Sequence, residues 1–291
     1  MSPTMGATRV MSVDAACAKA KEASAWFAAT DPSARAALLE AIAGAVDAHI
    51  DELVPIAMAE SRLGEERLRG EVGRTTGQLR LMATVVRDGA FLGVVIDHAD
   101  ASLTPPRPDL RRLNISLGPV AVFAASNFPF AFSTLGGDTA SALAAGCPVV
   151  VKPNPGHPQL SDAIMAIAQD ALSGAGAPEG VLALVDDSLQ AGIDLVNDDR
   201  IEAVAFTGSQ RGGLALAKIA AERARPIPFF GELGSINPMF VTGEFLAGRH
   251  SELAAGFVGS FTLGAGQFCT KPGLLIAPRD EQLRAALIET V

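Results

Sequence analysis

The sequence predicts an α/β fold, a doubly wound parallel sheet preceded by a run of helices. Two observations carry this. From residue 12 to about 95, apolar residues recur at three- and four-residue steps, the period of a helix packed on one face. From Gly118 onward, apolar runs of strand length alternate with small-residue helical stretches, the pattern of a parallel sheet covered by helices. Composition agrees. With 49% hydrophobic and 19% charged residues the chain is globular rather than disordered. Its 291 residues suffice for one large or two modest domains with a buried core.

Residues 12–29 read as an Ala-rich helix carrying Trp26 and Phe27. Asp31 and Pro32 mark a fresh start, a capping side chain followed by a proline at the first helical position. The helix they open runs over 32–49, with Ala36, Leu39, Ala43 and Val46 on one face. Helical periodicity continues over 51–61 and 65–95. There Glu71, Arg74, Gln78 and Arg80 read as a solvated helix face beside Leu79, Met82, Val85 and Val86. Pro105, Pro106 and Pro108 exclude a helix interior. An extended strand is expected over 111–117, with Leu113, Ile115 and Leu117 on one side, as a connector between lobes or an arm for a partner.

The alternating part follows. Strands are expected over 120–125, 149–152, 181–185, 201–206 and 226–230. Helices are expected over 134–145, 161–172, 191–197 and 212–223. Ligands of such sheets sit beyond the carboxyl ends of the strands, where the motifs described below fall.

Several function classes are excluded or disfavoured. A formal net charge of -9 leaves no broad nucleic-acid footprint, although a local basic pocket for an anion is allowed. Cys17, Cys147 and Cys269 lie far apart, and the four histidines lack ligand spacing, so neither a disulfide framework nor a metal site is expected. Reduced thiols and a cytoplasmic setting are the expectation. Residues 1–13 lack the basic and apolar regions of a secretory leader. The longest apolar runs are strand-sized, far short of a membrane span.

Three residue types in separate stretches form the parts of a covalent attack on a carbonyl. Cys269 lies in a loop of small residues after Gln267; a buried cysteine is commonly a small hydrophobe, whereas one in such a loop is placed to react. Glu232 follows the apolar Phe229, Phe230 and Gly231; it reads either as an exposed loop carboxylate or as a base whose pKa is raised by apolar neighbours. Asn127 precedes Phe128 and Pro129, as a turn former or as an amide donor to an oxyanion. Lys152 closes an apolar strand, as a solvated terminus or as a ligand for a hydroxyl or phosphate. Phe206, Thr207, Gly208 and Ser209, with Gly213 beyond, form a strand end, a glycine turn and a helix start that can hold a pyrophosphate.

Taken together these motifs resemble the aldehyde dehydrogenase superfamily. The order matches: Asn127 in S-N-F-P, Lys152 in V-K-P, Gly208 and Gly213 in F-T-G-S-x-x-x-G, Glu232 in E-L-G-x-x-N-P and Cys269 in G-Q-x-C. G-S-I-N-P after Glu232 and G-A-G-Q-F-C-T-K-P-G around Cys269 resemble the α-ketoglutaric semialdehyde (2,5-dioxovalerate) dehydrogenase group. Bacterial fatty aldehyde dehydrogenases share part of the pattern.

The resemblance implies a Rossmann-like cofactor sheet followed by the start of a second α/β catalytic lobe. The expected division is 1–103 as the helical part of the cofactor domain, 104–117 as an oligomerisation arm, 118–231 as the NAD(P)-binding core and 232–291 as the beginning of the catalytic domain. It also implies a mechanism. Cys269 attacks the aldehyde, Asn127 and the Cys269 N–H hold the oxyanion, hydride passes to the nicotinamide, and Glu232 activates water to hydrolyse the thioester. Lys152, Phe206, Thr207, Gly208, Ser209, Gly213, Glu232 and Leu233 are the implied cofactor contacts. Many NAD-using relatives carry a glutamate where this chain has Pro155, so NADP is expected to be accepted and favoured over NAD. Arg211 is a further phosphate partner or simply an exposed helix arginine. A small aldehyde is the implied substrate, without nucleic acid or membrane, in a homo-oligomer.

The family's catalytic lobe continues well past its cysteine, whereas this chain ends at Val291. The resemblance is therefore to the N-terminal half, as expected of a truncated gene, a split gene or a fragment. The alternative function is a catalytically inactive nucleotide-binding half. An acylating enzyme passing its thioester to coenzyme A is a further alternative, opposed by Glu232.

Overall fold

The structure is a computed structural model that describes residues 10–291. The stretch on which no leader was expected lies largely outside the described residues. The chain divides into two compact units, one ending at Glu232 and one spanning Leu233–Val291.

In the first unit, β1 (Val10–Met11) precedes four helices, α1 (Val13–Ala29), α2 (Pro32–Ala48), α3 (Ile50–Ser61) and α4 (Glu65–Asp88). Local chemistry sets their boundaries. Ser12 accepts from Ala15 N–H at the start of α1, and Asp31 accepts from the N–H groups of Ser33 and Ala34 ahead of Pro32. α4 is shorter than its periodicity predicts. Gly89 takes a left-handed conformation (φ 75°) and stops the helix at Asp88, after which Ala90–Leu92 make only a 3-10 turn. A two-stranded antiparallel ribbon follows, β2 (Val95–Asp97) with β3 (Leu110–Arg112). The strand expected over 111–117 is therefore confined to its start. Leu113, Ile115 and Leu117 are exposed, so no packed face holds them extended.

The sheet comprises β1 with β4 (Val120–Phe123), β5 (Val149–Lys152), β6 (Leu182–Val185), β7 (Ala203–Thr207) and β8 (Phe229–Glu232). Its order is β1-β6-β5-β4-β7-β8, and every pairing is parallel. The intervening helices are α5 (Gly137–Ala144), α6 (Pro158–Gly174), α7 (Leu189–Asn197) and α8 (Gln210–Glu222). The inner strands β4, β5, β6 and β7 read as continuous apolar runs because both faces are covered. Val120, Val122, Val149, Val151, Leu182 and Leu184 pack with residues of α2, α4, α5 and α6. Their alternates Ala121, Phe123, Val150, Ala183 and Val185 pack with residues of α1, α7 and α8. This is the doubly wound α/β architecture that the alternation of strands and helices predicts.

The second unit is described by itself. It contains β9 (Pro238–Phe240), α9 (Gly243–Leu246), α10 (His250–Thr262), β10 (Leu274–Ile276) and α11 (Glu281–Thr290). β9 and β10 pair in parallel, and Leu246, Leu253 and Leu283 form a small core with Met239, Val241 and Leu275 against it. Among the described residues, no helix is long and apolar enough to cross a membrane.

Candidate active site

Sheet topology selects one edge. Strands added after β4 run outward through β5 to β6, and the chain then returns to place β7 on the other side of β4. The strand order reverses between β4 and β7, and a crevice for ligand opens at the carboxyl ends around such a reversal. Because all the strands are parallel, their carboxyl ends share that edge. The segment carrying Asn127 follows β4, Lys152 ends β5, Asp186 and Asp187 follow β6, Thr207 ends β7 ahead of Gly208 and Ser209, and Glu232 ends β8. The structure thus brings the candidate residues of the first unit to one side of one sheet.

The segment after β4 is tightly folded. Ala125 N–H donates to Phe132 C=O and Gly137 N–H to Ala131 C=O. A Cβ at Gly136 would lie 2.7 Å from the Ala131 carbonyl oxygen, so only glycine fits that turn. Asn127 is half-buried, and its carbonyl accepts from Arg67 Nη2 at 2.8 Å. Buried His157 reaches Ala125 C=O through Nε2 at 3.1 Å.

Glu71 departs from the solvated face predicted for α4. It is buried, and its Oε1 accepts from Phe130 N–H at 2.9 Å and Ala131 N–H at 3.1 Å. Burial pushes its carboxyl up, while these two donors and then Arg67 and Arg74 pull it back. Helical period alone gives no sign of this, since the donors come from a distant segment. Arg74 and Arg80 are exposed as predicted.

At β7, register pairs Thr207 with Glu232, and Gly208 N–H donates to Glu232 C=O at 3.1 Å. The Thr207 hydroxyl donates to Asp138 Oδ2 at 3.0 Å, from the first turn of α5. Burial raises the Asp138 carboxyl, Thr207 opposes this, and the Glu232 charge adds to it. Sequence reading missed Asp138, an ordinary first-turn acid by pattern. Glu232 itself is exposed at the end of an edge strand, so the apolar neighbours expected to desolvate it do not cover it. Phe206 packs against Phe123 and Phe229. Ser209 caps α8 by accepting from Gly212 N–H, and Gly213 is buried.

Lys152 is half-buried. Burial lowers its pKa, and the nearby carboxylates of Asp187 and Asp186 raise it. The donor set on this edge combines an ammonium, the N-terminus of a 13-residue helix and the hydroxyl of Ser209, while Thr207 spends its hydroxyl hydrogen on Asp138. Its chemistry fits a phosphate- and ribose-bearing ligand.

Cys269 and Leu233 belong to the second unit, where Cys269 is exposed. Its carbonyl accepts from the Ser235 hydroxyl and from Asn237 Nδ2, the latter at 2.6 Å. Asn237 Nδ2 also donates to Lys271 C=O at 3.1 Å. The G-S-I-N-P motif therefore clamps the backbone on both sides of Thr270. Asn237 is left-handed (φ 45°), a conformation its side chain tolerates. Gly264, Ala265 and Gly266 are left-handed in succession ahead of the cysteine. A Cβ at Gly273 would lie 2.6 Å from Ile236 C=O, which accepts from the Gly273 N–H.

The profile of the aldehyde dehydrogenase family matches residues 3–291. The chain belongs to the aldehyde dehydrogenase family. Within it, the chain is similar to α-ketoglutaric semialdehyde dehydrogenase 2 of Azospirillum brasilense, at 49% identity over 95% of this chain and 53% of the relative. It is also similar to the α-ketoglutaric semialdehyde dehydrogenase of Acinetobacter baylyi, at 45% identity over 96% of this chain and 53% of the relative. The chain thus spans about half the length of these curated relatives. Among solved structures, a variant of proline utilization A from Bradyrhizobium japonicum superposes with TM-score 0.80 at 25% identity, covering 96% of this chain and 27% of that one.

Proposed function

We propose that this aldehyde dehydrogenase family chain carries the cofactor-binding and nucleophilic parts of an enzyme oxidising an aldehyde to a carboxylic acid, with α-ketoglutaric semialdehyde giving 2-oxoglutarate. The reading rests chiefly on the single edge of the parallel sheet that gathers Asn127, Lys152, Thr207–Ser209 and Glu232 beside the reversal of strand order. The two relatives named for that semialdehyde support the substrate.

The roles follow from side-chain chemistry. The Cys269 thiolate attacks the aldehyde carbon, and the oxyanion of the resulting thiohemiacetal takes hydrogen bonds from the Asn127 amide and the Cys269 N–H. NAD(P), when bound, would supply the hydride acceptor needed to convert this adduct to a thioester. Glu232 takes a proton from water as it attacks the thioester, and Cys269 leaves as thiolate. Ser235 and Asn237 fix the backbone from which the thiol projects. Lys152, Phe206, Thr207, Gly208, Ser209, Gly213, Glu232 and Leu233 hold the cofactor. Pro155 offers no carboxylate against a 2′-phosphate, so NADP is favoured over NAD; Asp186 and Asp187 near Lys152 limit that preference.

The ribbon of β2 and β3, with exposed Ile96 and Leu110 and the exposed Leu113 and Ile115 after it, supports a role for residues 104–117 as an arm in a homo-oligomer. The expected setting is cytoplasmic, without nucleic-acid or membrane partners. The deciding experiment follows reduced-nicotinamide formation from α-ketoglutaric semialdehyde with NADP and with NAD, beside Cys269→Ala. Turnover lost in the variant supports the proposal. Cofactor binding without turnover makes the chain a nucleotide-binding half.

A further inference from the structure

One turn of α4 pins both ends of the segment that carries Asn127. Arg67 Nη2 holds the Asn127 carbonyl at 2.8 Å, and Glu71, four residues on, holds Phe130 and Ala131 through their N–H groups. Positions four apart lie on the same helix face, so the two side chains act on one surface of the segment. Phe128 within this segment and Phe132 just after it are held from the same helix. The Arg67 guanidinium lies 5.1 Å from the Phe128 ring centroid, and Arg74 lies 4.7 Å from that of Phe132.

Glu71 is a costly choice for a structural filler. A buried carboxylate must be compensated, yet both N–H groups go to a single oxygen. The other oxygen, Oε2, is buried without a hydrogen bond and lies 4.0 Å from Arg67 Nε. An acceptor that gathers two consecutive N–H groups fixes the peptide between them, and with it the course of the chain back to Asn127.

We infer that Glu71 is a positioning residue for the oxyanion site, acting through the Phe130 and Ala131 amides to fix the segment that presents Asn127. The inference rests on the reading of Asn127 as oxyanion donor. It assigns Glu71 no contact with substrate or cofactor.

The test compares Glu71→Gln, Glu71→Ala, Asn127→Ala and the double variant Glu71→Ala/Asn127→Ala. The first readout is the ¹⁵N resonance of the Asn127 side-chain amide, assigned by its disappearance in Asn127→Ala; it needs no turnover. Glu71→Gln keeps an accepting oxygen and should leave this resonance near its wild-type position, whereas Glu71→Ala should shift or broaden it. An unmoved resonance in folded Glu71→Ala overturns the inference. Should Glu71→Ala not fold, a resonance displaced in Glu71→Gln as far as on urea unfolding overturns it instead.

The second readout is kinetic. Glu71→Ala should lower kcat about 10- to 100-fold while leaving the cofactor Kd unchanged, and Glu71→Gln should recover most of the loss. In the Asn127→Ala background Glu71→Ala should cost nothing further, because both act on one interaction. Equal losses in both backgrounds show that Glu71 acts elsewhere and refute the inference. Unchanged kcat in Asn127→Ala refutes the oxyanion reading instead, a failure separable from that of Glu71, which the resonance judges by itself.

Discussion

Asn237→Ala should loosen the segment that carries Cys269 by an amount that the structure lets us work out. Its side chain donates to the carbonyls of Cys269 and Lys271 at 2.6 and 3.1 Å. Each such bond contributes about 1 kcal/mol net, and exposure keeps both at or below that value. Alanine at φ 45° adds about 1 kcal/mol of left-handed backbone cost. The loss is therefore about 2–3 kcal/mol, or roughly 30- to 150-fold in the local opening equilibrium. Amide hydrogen exchange reads this directly. The Lys271 N–H, bonded to Phe268 C=O, and the Gly273 N–H, bonded to Ile236 C=O, should exchange faster by that factor. Asn237→Gly loses the same hydrogen bonds without the backbone cost and should fall between wild type and Asn237→Ala. Unchanged exchange at both amides in Asn237→Ala would show that the motif does not clamp the segment.

Other predictions concern the thiols, the buried acid and the carboxyl-end edge of the sheet. A thiol reagent at about pH 8 should titrate a single fast equivalent, at Cys269, because Cys147 is buried and burial with Asp198 pushes Cys17 up to about 12; a second fast equivalent mapped to Cys17 would contradict this. The Asp138 carboxyl is held above its ordinary 3.8, so the folded chain binds that proton more tightly than the unfolded chain, and the group's contribution to stability falls as pH rises above that value. Asp138→Asn, which still accepts from Thr207, should raise Tm near pH 7, with the gain vanishing in acid; a Tm lowered near neutrality would refute it. Asp187→Asn should raise kcat/KM for NADP relative to NAD several-fold, by removing a carboxylate near Lys152; an unchanged ratio separates Asp187 from the 2′-phosphate.

Much of the first unit is legible because its signals are local. Asp31 and Pro32 announce a helix start, and runs such as Val149–Lys152 read as strands because they are buried on both faces. Where local and tertiary signals part, the sequence misleads. Apolar residues after Asp88 keep a helical rhythm, but Gly89 turns left-handed and the chain leaves the helix. Glu71 shares its helix with solvated charges, and only a segment folded from far along the chain supplies the N–H groups that bury it. The second unit is barely legible. β9 opens on Pro238 and spans only Pro238–Phe240, and Gly256 and Gly259 interrupt the pattern of α10. The candidate site was recognisable as an ordered set of motifs. What those motifs omit is the support, Arg67 and Glu71 under Asn127 and Asp138 beside Thr207, which carries no motif of its own.

The most direct test of the central claim is intact and peptide mass spectrometry of Glu232→Gln mixed with α-ketoglutaric semialdehyde and NADP. Slowed hydrolysis should let the thioester accumulate, giving a mass increase equal to the acyl group less the displaced thiol hydrogen on the Cys269 peptide and none in Glu232→Gln/Cys269→Ala. Cofactor reduction with no adduct on Cys269, or an adduct that persists when Cys269 is alanine, would contradict the account.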